Sequence, residues 1–179
     1  MTNREWKESL EPQIEDHLRL AVATFQNLDE ARLSRPSVSG GWSIAQCLWH
    51  LNSYGHYYLP IIKSAVESAK EVPVQTNFHS GWLGAYFTKM MRPSAKTKKM
   101  KAFKDHVPPA DLNVHAEVAE FIRQQELLLR LLRKAEHVDL GRIRIPISIG
   151  KVIRLKLGDV FQFMVAHDER HLQQASRNL

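Results

Sequence analysis

Val160-Phe161-Gln162-Phe163-Met164-Val165-Ala166-His167-Asp168-Glu169-Arg170-His171-Leu172-Gln173-Gln174 is the stretch on which the reading of this chain turns. Val160, Met164, His167 and His171 follow one another at steps of four, three and four, and Leu157 and Phe161 flank the same stripe. Asp159, Gln162, Glu169, Arg170 and Gln173 fall mostly elsewhere. This is the pattern of one apolar helix face, predicted over residues 157–177. Because His167 and His171 continue that stripe, both imidazoles are expected to point into the protein. An unpaired polar ring in such a place costs on the order of 1–3 kcal/mol, so a partner is required. Two histidines at i, i+4 are a common way to place two nitrogen ligands on one metal ion. The plainer alternative is a hydrogen bond from each ring to a carbonyl.

Working outward, three further long segments carry helical periodicity. The first, residues 5–31, spaces Trp6, Leu10, Ile14, Leu18, Ala21, Phe25 and Leu28 by three or four, and Pro12 places its true start just after Glu11. The second begins at Ser43, a good N-cap with Gln46 three residues on in capping-box spacing and Trp42 before it as half of a hydrophobic staple. It is predicted to run to about residue 69, with a kink from Gly55 and Pro60. The third covers residues 109–137. Between the second and third, a short helix is predicted over 82–91, followed by a lysine-rich connection. Residues 140–150 alternate as an extended segment, too isolated to build a sheet. Four amphipathic helices with long connections after the second and third give an all-α fold, a four-helix bundle with a long crossover connection.

A chain of 179 residues fits a single domain, 1–179, with residues 72–108 as a basic, partly irregular insertion. A domain of this size buries roughly two-thirds of its unfolded surface, so a metal would be present for chemistry rather than for folding. The lone Cys47 excludes an intramolecular disulfide. No apolar run approaches the roughly 20 residues of a membrane span, and the polar start Met1-Thr2-Asn3-Arg4-Glu5-Trp6 does not read as a signal peptide. The expected compartment is the cytoplasm. The charge of +6 favours anionic partners without bearing on the fold.

His50 lies two turns into the second helix, on the side of Cys47, Tyr54, Tyr57 and Ile61. With His167 and His171 it would complete a three-nitrogen set that leaves one position for water or substrate, as catalytic rather than structural zinc sites do. Taken alone it is a core or surface histidine.

Gly41-Trp42-Ser43-Ile44-Ala45-Gln46-Cys47-Leu48-Trp49-His50-Leu51 resembles the second-helix motif of the DinB/YfiT-like proteins, and His167-Asp168-Glu169-Arg170-His171-Leu172-Gln173-Gln174 resembles their terminal HxxxHxxQ motif. The resemblance implies a four-helix bundle of unusual crossover topology and a divalent metal, zinc or nickel, on His50, His167 and His171. It also implies a small-molecule substrate, with some relatives transferring low-molecular-weight thiols and others described as metal-dependent hydrolases, and a homodimer. Gln46 and Cys47 stand where an acidic residue is frequent one turn before the histidine, and the insertion is longer and more basic than usual.

Cys47 is a small buried hydrophobe before it is a thiolate near the metal. Tyr54, one turn after His50, packs or donates a hydrogen bond to bound water. Asp168 and Gln174 are candidates to orient a histidine's free N–H, whereas Glu169 turns outward. His56, His79, His106, His115 and His137 read as surface or loop residues. Lys89, Arg92, Lys96, Lys98, Lys99, Lys101 and Lys104 form a stretch with no acid, by default a solvated connection and otherwise an anion-binding rim. No nucleic-acid motif accompanies it, so nucleic acid is not the expected partner. Three readings follow. The leading one is a metal-dependent transferase or hydrolase; the others are a non-catalytic helical metal-binding or interaction protein and a basic nucleic-acid binder.

Overall fold

The structure, a computed structural model, describes residues 1–38, 40–93 and 101–179. Helix α1 (Asn3–Ala23) starts much earlier than Pro12 suggested, because Thr2 and Glu5 form a reciprocal capping box around the chain's first turn. Pro12 sits inside the helix. The carbonyl its ring leaves without a helical partner belongs to Glu8, an exposed residue, while Trp6 and Leu10 on the opposite side are buried. A 3-10 turn (Phe25–Asn27) and the short α2 (Glu30–Ser34), capped by Asp29, follow.

Helix α3 (Ile44–Glu67) carries the expected Ser43–Gln46 capping box. Helix α4 (Trp82–Met91) has the bounds predicted for it. A 3-10 turn (Lys104–His106) precedes α5 (Val114–Ala135), whose cap is Asn113 rather than a residue near 109. Strands β1 (Arg144–Ile147) and β2 (Gly150–Lys156) pair antiparallel and lead directly into α6 (Leu157–Ser176). The expectation that residues 140–150 build no sheet is therefore corrected. The hairpin is held by tertiary contact, since Ile145, Ile147 and Leu155 are buried in the main core. Tyr57 also donates to the Ile147 carbonyl at 3.3 Å, and the Ser148 N–H donates to Tyr58 at 3.1 Å.

Helices α1 and α3 each lie between α5 and α6, so the first two long helices, α1 and α3, occupy one diagonal and α5 and α6 the other. Pairings along α3 and α5 rise together (Asn52 with Glu117, His56 with Glu120, Glu67 with Lys134), which makes these neighbours parallel. Parallel neighbours need a connection that returns the full length of the bundle, and residues 68–113 supply it. This is the long crossover, and α4 within it packs along α6. Gly55 permits the close approach of α3 to α5, since a Cβ there would overlap the Gln124 side chain. Lys89, Arg92, Lys101 and Lys104 of the basic stretch are exposed, and Lys96, Lys98 and Lys99 lie outside the described residues.

The interior divides into two apolar clusters. One gathers around Trp6, Tyr58, Leu132 and Phe161; the other around Phe25, Leu48, Phe121 and Leu172. The predicted histidines fall at the boundary between them. No described helix is long and apolar enough to cross a membrane.

Candidate metal centre

His50 projects from the second turn of α3, and His167 and His171 project from one face of α6, which runs antiparallel beside it. One ligand nitrogen from each of the three rings lies within 4.8 Å of the others. His50 Nε2 is 3.1 Å from His167 Nε2. Tetrahedral coordination at about 2.0–2.1 Å per bond would separate two nitrogens by about 3.3 Å, so the spacing suits a small divalent ion.

The tautomers follow from the hydrogen bonds. His50 Nδ1 is 2.7 Å from the His106 carbonyl oxygen, which only accepts, so Nδ1 carries the proton and Nε2 the lone pair. His171 Nδ1 faces the Gln174 Oε1 at 3.0 Å, which leaves its Nε2 as the lone-pair nitrogen in the same way. Between the facing Nε2 atoms of His50 and His167, a proton or a cation has to lie. This donor set fits a divalent metal, because each ligand must be a neutral imidazole and its second nitrogen is best held by a carbonyl. Burial lowers the pKa of His50 to about 4 and that of His171 to about 3, and pushes His167 well below the usual range, with the neighbouring histidines adding to the effect on His167 and His171. The three rings are thus neutral at physiological pH.

Aromatic rings enclose the trio. The Trp42 ring centroid is 4.9 Å from that of His50 and stacks over His171 at 5.9 Å, so the indole lines the site rather than only stapling a helix end. Tyr54 meets His167 edge-on at 4.5 Å, and Phe163 stacks on His167 at 5.6 Å. Burial pushes the Tyr54 hydroxyl up to about 12.

A family model described as the DinB superfamily matches residues 13–175. The chain belongs to the DinB superfamily. Searches against curated proteins and against solved structures gave no match. DinB-superfamily proteins generally bind metal, and the three-histidine group of this member is arranged to do so.

Of the other residues singled out by sequence, Gln174 does meet a histidine of the group, His171. Asp168 does not: its Oδ2 accepts from Gln125 Nε2 at 2.9 Å. Cys47 is fully buried among Ile44, Leu48 and their neighbours, and burial pushes its thiol up to about 12. We expect Cys47 to resist alkylation by iodoacetamide at pH 8 in the folded protein and to react fully in denaturant; fast labelling of the native protein would contradict that placement. Glu169 points away to His17, 2.9 Å from its Nε2.

His106 is the residue the sequence reading missed. The sequence places it among surface or loop residues; it does lie in the connection, but it is 6% exposed and its carbonyl accepts from His50. No periodicity marks it, since it stands in an irregular basic connection.

Asp168 also has a measurable consequence. Burial raises its carboxyl from 3.8 to about 6, against the opposing influences of His17 and Gln125. The folded state therefore holds this proton more tightly than the unfolded state. Its contribution to stability is complete below pH 3.8 and is lost as the pH rises through about 6, a change of at most about 3 kcal/mol. Metal-free Asp168→Asn should melt a few degrees higher than the parent at pH 8 and at the same temperature near pH 3.5. Equal shifts at both pH values would remove the charge from the explanation.

Proposed function

We propose that the chain holds one divalent ion, zinc or nickel, on the Nε2 atoms of His50, His167 and His171, and that it transfers a low-molecular-weight thiol onto a small electrophile. The observation that carries this reading is the convergence of three neutral imidazoles, two of them with Nδ1 held by a carbonyl oxygen. Three protein ligands leave a position for an exchangeable molecule, as catalytic sites do. A bound divalent ion supplies Lewis acidity that brings the pKa of a coordinated thiol or water toward neutrality.

Thiol is favoured over water because of what surrounds the trio. The nearby carboxylates are engaged elsewhere, Asp168 with Gln125 and Glu169 with His17. The walls are Trp42, Tyr54 and Phe163, which suit an apolar substrate body and exclude water. A thiol ionises near pH 8.5 unaided, so it needs far less help than water does. In the transfer, the thiol proton leaves to solvent, a sulfur–carbon bond forms, and the leaving group departs with its bonding pair. The chain's own residues hold the imidazoles in the ligand tautomer and enclose the reacting centre.

The test combines elemental analysis of untagged protein with a screen of thiols against alkylating electrophiles. The expected result is about one zinc or nickel ion per chain and a thiol-dependent transfer that stops with chelator and returns with metal. Electrophile consumption with water alone would replace the transferase with a hydrolase. An ion-free protein that takes up neither zinc nor nickel would overturn the metalloenzyme reading and favour an interaction role.

A further inference from the structure

The stretch from residue 101 to residue 110 buries its residues against the usual order of polarity. Phe103 and Val107 stand 52% and 48% exposed, while the imidazole between them, His106, is 6% exposed. Burying a polar ring in preference to two apolar side chains requires specific partners, and they are present. The Ser53 hydroxyl donates its single proton to the His50 carbonyl at 2.7 Å, so the 2.7 Å contact between His106 Nδ1 and Ser53 Oγ must be a donation from the ring to the hydroxyl oxygen. The ring face stacks on Tyr54, with centroids 3.8 Å apart and planes inclined by 20°. The backbone N–H of His106 closes a 3-10 turn on the Phe103 carbonyl at 2.8 Å. Ring and turn together fix the position of one atom, the His106 carbonyl oxygen, which accepts the His50 Nδ1–H.

We infer that His106 is the positioning residue of the metal centre: its side chain anchors the end of the crossover connection on α3 so that its own carbonyl holds His50 with Nε2 free to ligate. This rests on the proposed reading of the trio as a metal site. His106 itself does not bind the ion; it acts through His50. Such partners, one step removed from the metal, typically contribute 10–100-fold in affinity. The connection that closes the bundle thereby also completes the site, since α3 alone provides His50 with no carbonyl at Nδ1.

Two measurements separate the inference from the reading it rests on. The first needs no metal: long-range proton–nitrogen correlation spectra of apo protein should show His50 as the Nδ1–H tautomer, and in His106→Ala a mixture with Nε2–H. The second is cobalt(II) titration followed by visible absorption. His106→Ala is expected to bind 10–100-fold more weakly, with shifted d–d bands. His106→Phe, which keeps the stack and loses the Ser53 bond, should fall between the two. Ser53→Ala should weaken binding in the wild-type background but have little further effect on His106→Phe. An unchanged His50 tautomer, or cobalt affinity within twofold of wild type in a folded His106→Ala, overturns the inference and leaves the three-histidine reading standing. A wild-type protein that binds no cobalt overturns the reading, whatever the tautomer.

Discussion

Replacement of His167 by alanine is expected to take bound metal from about one ion per chain to none. His167 is one of the two buried members of the trio, with its Nε2 3.1 Å from that of His50 and its ring 4.8 Å, centroid to centroid, from that of His171. Its loss leaves one imidazole from each helix, His50 and His171 with ring centroids 4.5 Å apart, two ligands where the site needs three. The effect is also visible as stability. With free ion at about a thousand times the dissociation constant, binding to the native state alone adds about 4 kcal/mol. For a chain of this size that is roughly 8–16 °C in melting temperature, and it should vanish in His167→Ala. The apo variant should itself melt below the apo parent, because the buried His167 ring packs on Tyr54 and Phe163, so the metal effect is read as the difference between apo and loaded protein of each variant. His56→Ala is the control, as His56 is exposed and bound to Glu120. Full metal occupancy in His167→Ala would break the ligand assignment.

Gly84→Ala is expected to destabilise the protein, although helix propensity alone says the reverse. Alanine in the interior of α4 would gain about 1 kcal/mol over glycine. Against this, a Cβ at position 84 would fall well inside contact distance of Asp159 Cβ, Cγ and Oδ2. Asp159 is buried, and its carboxylate accepts from the Ser80 hydroxyl and from the Gly81 N–H at the start of α4. Its Cβ is fixed to the α6 backbone and has no rotamer to retreat into. Relief therefore requires α4 to move off α6, which strands a buried carboxylate without its donors. Overpacking costs about 1–3 kcal/mol and the orphaned charge adds more, so the clash wins by about 3 kcal/mol. A fall of roughly 6–12 °C in melting temperature is expected. A higher melting temperature for Gly84→Ala would show that α4 is not seated on Asp159.

The parts of the fold that were legible in the sequence are those governed by local chemistry repeated over several turns. The Ser43–Gln46 box placed the start of α3, and the apolar stripe of α6 turned His167 and His171 inward, where the structure has them. Thr2 and Glu5 carry the same capping signal as Ser43 and Gln46, and that cap outweighs the proline at position 12. A proline ring is tolerated where the carbonyl it orphans faces water, and exposure of Glu8 cannot be known before packing is. The hairpin is illegible for a related reason: it depends on burial of Ile145, Ile147 and Leu155 in the cluster of Trp6 and Tyr58, which no local pattern in residues 140–156 announces. His106 had no local signature at all. Its partners Ser53 and Tyr54 are some fifty positions earlier, and a contact made by a carbonyl leaves no trace in side-chain identity.

The crossover arrangement also orders events during synthesis. A polypeptide emerges from its N-terminus, so His50 is available while residues 157–176, which form α6, do not yet exist. Any ribosome-bound fragment that stops short of α6 carries a single member of the trio and has no means of retaining an ion. Loading of an ion at this trio would therefore follow the synthesis of α6 and its meeting with α3. An ion found on the purified protein would certify that those two helices have met.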